Sequence, residues 1–183
     1  MKKVLVLLAN GFEDIEAITV IDLLRRAEII VDVKSISNNI ITSGSTIKYN
    51  IESNINDVSS SDYDMLFLPG GAGVKELDNS LKVKEIINDF IRLNKFVSAI
   101  CAAPLILGKM GILENKRFTC YPSFERFSEN GIYTRNGVEV DGLIVTGRGI
   151  AYVFDFAFTL IELLEGKTKV DTVKTSTLFI DDL

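Results

Sequence analysis

Continuous apolar runs that alternate with helical patterns constrain the fold of this chain most strongly. Val4 to Leu8 contains only apolar residues, and Met65 to Leu68 does the same before a Pro-Gly-Gly turn. Such runs are typical of strands covered on both faces, as in a parallel sheet. Between them, Glu13 to Ala27 has a helical pattern and Ile29 to Ile36 reads as a second strand. The alternation predicts an α/β fold with a mostly parallel central sheet and helices on both faces.

The same alternation continues in the second half of the chain. Apolar residues at helical spacing from Val83 to Ile91 predict a helix, and Phe96 to Ile100 predicts a buried strand after it. Leu143 to Thr146 is the last predicted central strand. A long helix from Ile150 to Leu164 is expected to follow, mostly buried and marked by one polar stripe.

Two shorter segments predict hairpins. Residues 40–51 have the pattern of a small insertion that turns at Ser43-Gly44. Ile132 to Val140 contains Asn136-Gly137, a dipeptide favoured in tight hairpin turns. A further short extended piece is expected around Phe118 to Tyr121.

The composition predicts one domain spanning residues 1–183. Of the 183 residues, 47% are hydrophobic and 25% are charged, which is enough apolar material for a core. The net charge of −5, with acids and bases interspersed, argues against nucleic-acid binding, which needs clustered Lys and Arg. We expect no membrane span, because the apolar segments are too short or too charged. Two cysteines and a short N-terminal apolar run predict a cytoplasmic protein without a disulfide framework or signal peptide.

Cys101 lies where a buried strand gives way to a helix, and it is the principal candidate for chemistry. Pro104 suits the first turn of that helix, because its missing N–H costs nothing there. The small residues Ala102 and Ala103 fit a tight nucleophile elbow. N–H groups at a helix N-terminus favour a thiolate, so we expect a lowered pKa for Cys101. An inert core thiol is the alternative, since free cysteines are among the most buried residues.

The chain contains no histidine, and this excludes several reaction types. Neither a Cys-His dyad nor a Ser-His-Asp triad can form within it, which makes peptidase chemistry improbable. Cys101 and Cys120 cannot supply a thiolate cage for zinc, so no metal is predicted, and no cofactor is predicted either. Cys120 is expected to pack in a strand, with a role as a resolving thiol as the alternative.

Glu16 is expected beside Cys101, because sites in open α/β sheets lie beyond the carboxyl ends of the strands. It shares a helical row with Val20 and Leu23, so its carboxyl should point into the protein. Burial there would raise its pKa and favour a protonated donor. Glu13, in contrast, is explained by the preference of acids for a helix N-terminus.

The glycine pair Gly70-Gly71 is the third segment expected at this edge of the sheet. Glycines at such a turn can present backbone N–H groups to an oxyanion. The signal is weak by itself, because a glycine pair is more often only a turn and no Walker signature accompanies it.

Together these segments resemble the DJ-1/ThiJ/PfpI superfamily, and in particular its DJ-1-like branch. The correspondence extends from about residue 2 into the final helix, and five stretches carry it: Ala9 to Glu16, Asp22 to Ala27, Leu68 to Gly71, Ala99 to Pro104 and Asp141 to Gly149. The resemblance implies a flavodoxin-like three-layer sandwich that is usually a homodimer.

The resemblance also implies roles for individual residues. By position, Cys101 is the family's reactive cysteine, which oxidises to a sulfinate, and Glu16 is the protonated glutamate beside it. Gly70, Gly71 and Ala102 would contribute backbone N–H groups.

Three further positions of the sequence bear on the implied site. Tyr121 and Arg148 would line it, and Tyr121 stands where many members have a histidine. Ile150 stands where a proline is common. Any carbonyl chemistry would therefore need Glu16 as its proton carrier.

Members of the family are described as oxidative-stress sensors, chaperones, glyoxalases and protein deglycases, and by an older name as thiazole monophosphate biosynthesis proteins. Two hypotheses remain for this chain. As a redox-response protein, it would oxidise at Cys101 and have slow reactive-carbonyl activity at most. As a glyoxalase or deglycase, it would act on small 2-oxoaldehydes through Cys101 and Glu16.

Overall fold

Buried strands alternate with helices along the chain, as the apolar runs predict. The computed structural model describes residues 1–51 and 55–179. The strands are β1 (Lys3–Leu8), β2 (Ile30–Ser35), β3 (Ile40–Thr42), β4 (Lys48–Asn50), β5 (Met65–Leu68), β6 (Phe96–Ile100), β7 (Arg117–Phe118), β8 (Ile132–Tyr133), β9 (Val138–Asp141) and β10 (Ile144–Gly147). The α-helices are α1 (Asp14–Arg26), α2 (Val74–Asn79), α3 (Leu81–Arg92), α4 (Pro104–Lys109), α5 (Val153–Glu165) and α6 (Lys167–Ser176).

Six of the strands form one central sheet in the order β2-β1-β5-β6-β10-β9. All neighbouring pairs in it are parallel except β10 with β9. In the middle of the sheet, Val6 lies opposite Val33 on one side and Phe67 on the other. The predicted mostly parallel sheet is confirmed.

Helices cover both faces of this sheet, and β1 shows how the sequence achieves it. Val4 and Val6 belong to a core cluster that includes Phe156 of α5, whereas Leu5 belongs to a second cluster that includes Phe90 of α3. All five side chains are fully buried. Because successive residues of a strand point to opposite faces, a continuous apolar run is required to build both cores. The result is the predicted three-layer α/β sandwich.

The two predicted hairpins have different outcomes. Residues 40–51 do form one, since β3 and β4 are antiparallel with Ile41 opposite Tyr49. The hairpin expected within Ile132 to Val140 is wrong, because β8 pairs in parallel with β7 and β9 pairs with β10. The turn dipeptide Asn136-Gly137 has another use. A Cβ on Gly137 would overlap the ring of Tyr152, so the glycine makes room for that side chain.

The last long helix begins later than predicted. Residues Ile150–Tyr152 form a 3-10 turn, and α5 starts at Val153. Its polar positions Asp155 and Glu162 are exposed, while Phe156 and Leu160 are buried, as the stripe predicts. Among the helices of residues 1–51 and 55–179, none combines the length and apolar content needed for a bilayer span.

Candidate active site at the carboxyl edge of the sheet

Cys101 occupies a strained corner between β6 and α4. Its φ angle is +62°, a left-handed conformation that costs a non-glycine residue about 1–2 kcal/mol. Hydrogen bonds hold this backbone on both sides: the Cys101 N–H donates to the Gly147 carbonyl at 2.9 Å, and its carbonyl accepts from the Tyr121 N–H at 2.8 Å. The helix begins at Pro104 in its first position. These contacts fix the direction in which the thiol leaves the chain, as an elbow requires.

Glu16 reaches the same edge from the first turn of α1. Glu13 caps this helix, and its carboxylate accepts a hydrogen bond from the Glu16 N–H at 2.7 Å. The Glu16 side chain is fully buried. Its Oε2 accepts from the Gly70 N–H at 3.0 Å, while Oε1 is buried without a hydrogen-bond partner among the described residues. A buried oxygen without a donor is where a carboxyl proton would be placed at least cost.

Gly70 lies between the two side chains and permits their close approach. A Cβ at this position would be 2.5 Å from Oε2 of Glu16 and 2.7 Å from Cβ of Cys101. The same point is 3.2 Å from Sγ of Cys101. Any side chain on residue 70 would therefore separate the carboxyl from the thiol, which explains why glycine is needed here.

The environment of Glu16 favours its protonated form. Burial raises the pKa of Glu16 to about 7. The Cys101 thiol and the Gly70 N–H oppose this increase because both can donate to a carboxylate, whereas the negative charge of Glu13 adds to it. Near neutral pH the side chain can thus hold or release a proton beside the sulfur.

The lowered pKa expected for Cys101 is wrong. Burial raises the pKa of the Cys101 thiol to about 12, and the charge and hydrogen bonding of Glu16 contribute to the increase. The N–H groups of Ala102 and Gly71 act in the expected direction, since they donate to the sulfur, but they are outweighed. Protonation of Glu16 removes its negative charge and with it that part of the increase.

The backbone N–H groups at the site are therefore divided between two acceptors. Those of Gly71 and Ala102 face Cys101, where a negative charge on sulfur or on an adduct would develop. The N–H of Gly70 is already used by Glu16. The prediction that Gly70 also donates to an oxyanion is not what the structure shows.

A cavity of about 320 Å³ opens above Cys101 and Glu16. Tyr121 and Arg148 line it, at the positions that the sequence assigned to the site. A hydrogen bond fixes the Arg148 side chain, because its Nη1 donates to the carbonyl of Arg135 at 3.0 Å. Gly71 also lines the cavity, as the sequence assigned it to the site. The other wall residues were not predicted as site residues: Glu13, Pro122, Gly149, Ile150, Ala151 and Tyr152.

Glu13 is a functional neighbour that helix capping alone does not reveal. It caps α1, as an acid at this position should, yet it also lines the cavity and raises the pKa of Glu16. The signal that could have found it is its position three residues before Glu16, which places both carboxyl groups on the first turn.

Cys120 lies in a different environment. It follows β7 without belonging to a strand, so its expected place in a strand is wrong. The side chain is fully buried in the second core cluster and does not line the cavity. Both cysteines are free thiols. Within the part of the chain that the structure describes, no three candidate metal-ligating residues cluster.

Known proteins are similar to this chain in sequence and in fold. Protein DJ-1 homolog B of Arabidopsis thaliana is 37% identical over 172 residues, covering 92% of this chain but only 39% of that protein. The glutathione-independent glyoxalase DJR-1.2 of Caenorhabditis elegans is 29% identical over 121 residues, covering 65% of this chain and 64% of the relative. This chain thus spans less than half the length of the Arabidopsis relative.

Solved structures are similar over nearly the whole chain. The crystal structure of Drosophila melanogaster DJ-1beta superposes with a TM-score of 0.91 at 33% identity and 97% coverage of both chains. Oxidized Toxoplasma gondii DJ-1 superposes with a TM-score of 0.90 at 30% identity, covering 97% of this chain and 98% of that one. The sequence model of the DJ-1/PfpI family matches residues 2–163. The protein therefore belongs to the DJ-1/PfpI family.

Proposed function

We propose that this protein is a cysteine-dependent redox-response protein of the DJ-1 type, in which Cys101 oxidises to a sulfinate beside protonated Glu16. One observation carries the proposal: an elbow thiol, open to a cavity, lies against a fully buried carboxyl group. The oxidized structure of the similar Toxoplasma gondii DJ-1 supports it.

The oxidation consumes two equivalents of peroxide. The sulfur gains two oxygen atoms, and each peroxide leaves as water, so that the thiol becomes a sulfinic acid and then a sulfinate. A sulfinate is an anion at neutral pH and cannot donate a hydrogen bond. The carboxyl of Glu16, whose pKa burial raises to about 7, can donate one to it. The N–H groups of Gly71 and Ala102 face the same sulfur and would donate to the added oxygens.

The site supports this product better than it supports the thiolate. The pKa of the Cys101 thiol is raised to about 12 by burial, so little thiolate exists at neutral pH. A low thiolate fraction slows every attack by sulfur, on peroxide as well as on a carbonyl, but oxidation to a sulfinate has to occur only once, whereas turnover must repeat the attack in every cycle. We therefore propose slow reactive-carbonyl activity at most.

A glyoxalase or protein deglycase is the second candidate, favoured by similarity to the glutathione-independent glyoxalase of Caenorhabditis elegans. In that reaction the sulfur of Cys101 would add to the aldehyde carbon of methylglyoxal. Glu16 would move the aldehyde proton to the neighbouring carbon through an enediol, giving a thioester. Water would then release lactate and restore the thiol. Glu16 must carry every proton in this reaction without the help of a histidine, because the chain has none.

One experiment separates the two candidates. Intact mass and peptide mapping after mild peroxide are compared with lactate production from methylglyoxal by the same preparation. We expect two added oxygens on Cys101 and little lactate. Rapid lactate formation that disappears in Cys101→Ala would establish the enzyme instead, while preferential oxidation of Cys120 would refute both assignments.

We propose further that the protein is a homodimer acting in the cytoplasm as one domain. Ile15 and Ile18 are 48% and 38% exposed on α1. Ile18 lines two surface depressions. It shares one with Tyr49 of β4 and the other with Phe154 of α5. A second copy covering this apolar face is the occupant we propose. Ile18→Lys should then halve the mass measured by light scattering. An unchanged mass would show that this face is not the dimer interface.

A further inference from the structure

The walls of the Cys101 cavity are larger and less polar than a small aldehyde requires. Two aromatic rings, Tyr121 and Tyr152, stand around the thiol together with the aliphatic groups of Ile150 and Pro122. The accessible lining of this 320 Å³ space is almost wholly apolar. Its size falls near the lower end of cavities that bind small organic ligands, which start at about 300 Å³.

The fold holds these walls in place without a ligand. The Tyr152 ring packs over Gly137, where a Cβ would overlap it. Tyr121 is fixed through its backbone hydrogen bond to Cys101, and its ring meets Phe124 edge to face at 6.3 Å between centroids. Ile150 follows Gly149 in the 3-10 turn and is 45% exposed. An apolar ligand would remove this exposed surface from water.

We infer that the cavity selects carbonyl compounds that carry a ring-sized apolar substituent, with Tyr121, Ile150 and Tyr152 as the specificity-determining residues. This inference rests on the proposed reactivity of Cys101 and adds the class of compound that reaches it. A methyl group is much smaller than the 320 Å³ space that these side chains line, whereas a phenyl or branched alkyl group has the bulk to contact several of its walls.

The adduct itself requires no reagent beyond the aldehyde. The sulfur of Cys101 forms a bond to the carbonyl carbon, the π pair of the carbonyl moves to oxygen, and the thiol proton ends on that oxygen. Glu16 is placed to carry this proton. The product is a thiohemiacetal, which forms reversibly and blocks the thiol while the aldehyde is bound.

The test measures protection of Cys101 against alkylation by N-ethylmaleimide, followed by peptide mapping. Phenylacetaldehyde is compared with acetaldehyde, and free N-acetylcysteine reports the intrinsic reactivity of each aldehyde. We expect phenylacetaldehyde to half-protect Cys101 at a concentration at least about tenfold lower than acetaldehyde, after correction by the free thiol.

Two exposed isoleucines provide a matched pair of variants. Ile150→Ser removes a wall of the cavity and should reduce the preference by about threefold to tenfold. Ile132→Ser removes an equally exposed side chain that does not line the cavity, and should leave the preference unchanged.

The outcomes separate this inference from the proposed function. The selectivity is overturned if both aldehydes protect Cys101 in the ratio shown by the free thiol. It is also overturned if Ile150→Ser leaves the preference unchanged. Neither result contradicts the proposal that Cys101 is reactive. Absence of protection by either aldehyde would overturn the selectivity together with the carbonyl chemistry, and sulfinate formation by the same sample would still be measurable.

Discussion

The two thiols of this protein have the same raised pKa but opposite surroundings. Burial raises the pKa of both Cys101 and Cys120 to about 12. Cys101 opens to a cavity and lies against Glu16, whereas Cys120 is sealed in the second core cluster. Glu125 raises the pKa of Cys120 further, and Arg148 opposes it. The comparison teaches that access and a neighbouring proton donor distinguish the two sites, since the tendency to form a thiolate does not.

The largest effect should come from removing either thiol. Cys101→Ala should abolish the gain of two oxygens after mild peroxide, because Cys120 is inaccessible in the folded state. Cys120→Ala should retain the full gain. Intact mass measures both. Oxidation of the Cys101→Ala protein at the parental rate would show that Cys120 is reached by peroxide and would remove the contrast between the sites.

The next effect concerns the buried acid and its dependence on pH. Burial raises the pKa of Glu16 to about 7 from its ordinary value of 4.5, so the unfolded chain releases this proton at a lower pH than the folded protein does. Glu16 therefore supports folding fully below about pH 4.5, and this support is lost as the pH rises towards 7. The loss should be about 3 kcal/mol of unfolding free energy.

Urea unfolding from pH 4 to pH 8 measures this loss. Glu16→Gln is the reference, because its side chain stays neutral and other groups titrate alike in both proteins. The stability of the parent relative to Glu16→Gln should fall across this range. A difference that stays constant with pH would mean that Glu16 ionises equally in the folded and unfolded states.

A third effect sharpens the role of the acid in the chemistry. Glu16→Leu removes the donor to sulfur and should slow sulfinate formation at Cys101 by about tenfold to hundredfold, as expected for a lost hydrogen bond to an anion. Glu16→Gln keeps an N–H donor and should lose less. Glu125→Leu, beside Cys120, is the matched control and should have no effect. Equal rates of sulfinate formation in all three variants would show that Glu16 has no role in the oxidation and only helps to begin α1.

The smallest effect tests the spacing between thiol and acid. Gly70→Ala places a methyl group 2.5 Å from Oε2 of Glu16 and should lower the free energy of unfolding by about 1–3 kcal/mol, while also slowing Cys101 oxidation. In Gly44→Ala the nearest atoms to the added methyl are the Phe12 carbonyl at 3.4 Å and the Gly11 carbonyl at 3.8 Å, so little change is expected. Thermal unfolding of the two variants gives the comparison. Equal stability would show that the site tolerates separation of its two groups.

Local sequence patterns predict much of the fold, because the features involved are local or periodic. The apolar run Val4 to Leu8 demands cover on both faces, and the row containing Glu16 points into the protein. The hairpin predicted at Asn136-Gly137 fails because β9 pairs instead with β10, the strand that follows it directly, and β8 pairs with β7. Nothing in Ile132 and its neighbours reveals that β8 pairs with β7, which precedes it by about a dozen residues.

The site was predicted less completely, for electrostatic reasons. A helix N-terminus predicts a lower pKa for Cys101, and the N–H groups near the sulfur do lower it. Burial raises this pKa by more, and the extent of burial depends on the assembled fold rather than on the local sequence. Ile150 stood out in the sequence only as a departure from the family's proline, and no motif identifies Tyr152 as a wall of the cavity. The second role of Glu13 was hidden because helix capping already explained that residue.

The left-handed backbone at Cys101 has a consequence for how this protein can be improved. Substitutions chosen only to increase resistance to heat would favour glycine here, since glycine adopts this conformation without the penalty that a side chain incurs. Such a screen would eliminate the sulfur and with it the proposed activity. The corner is thus a place where selection for durability and selection for chemistry would oppose each other.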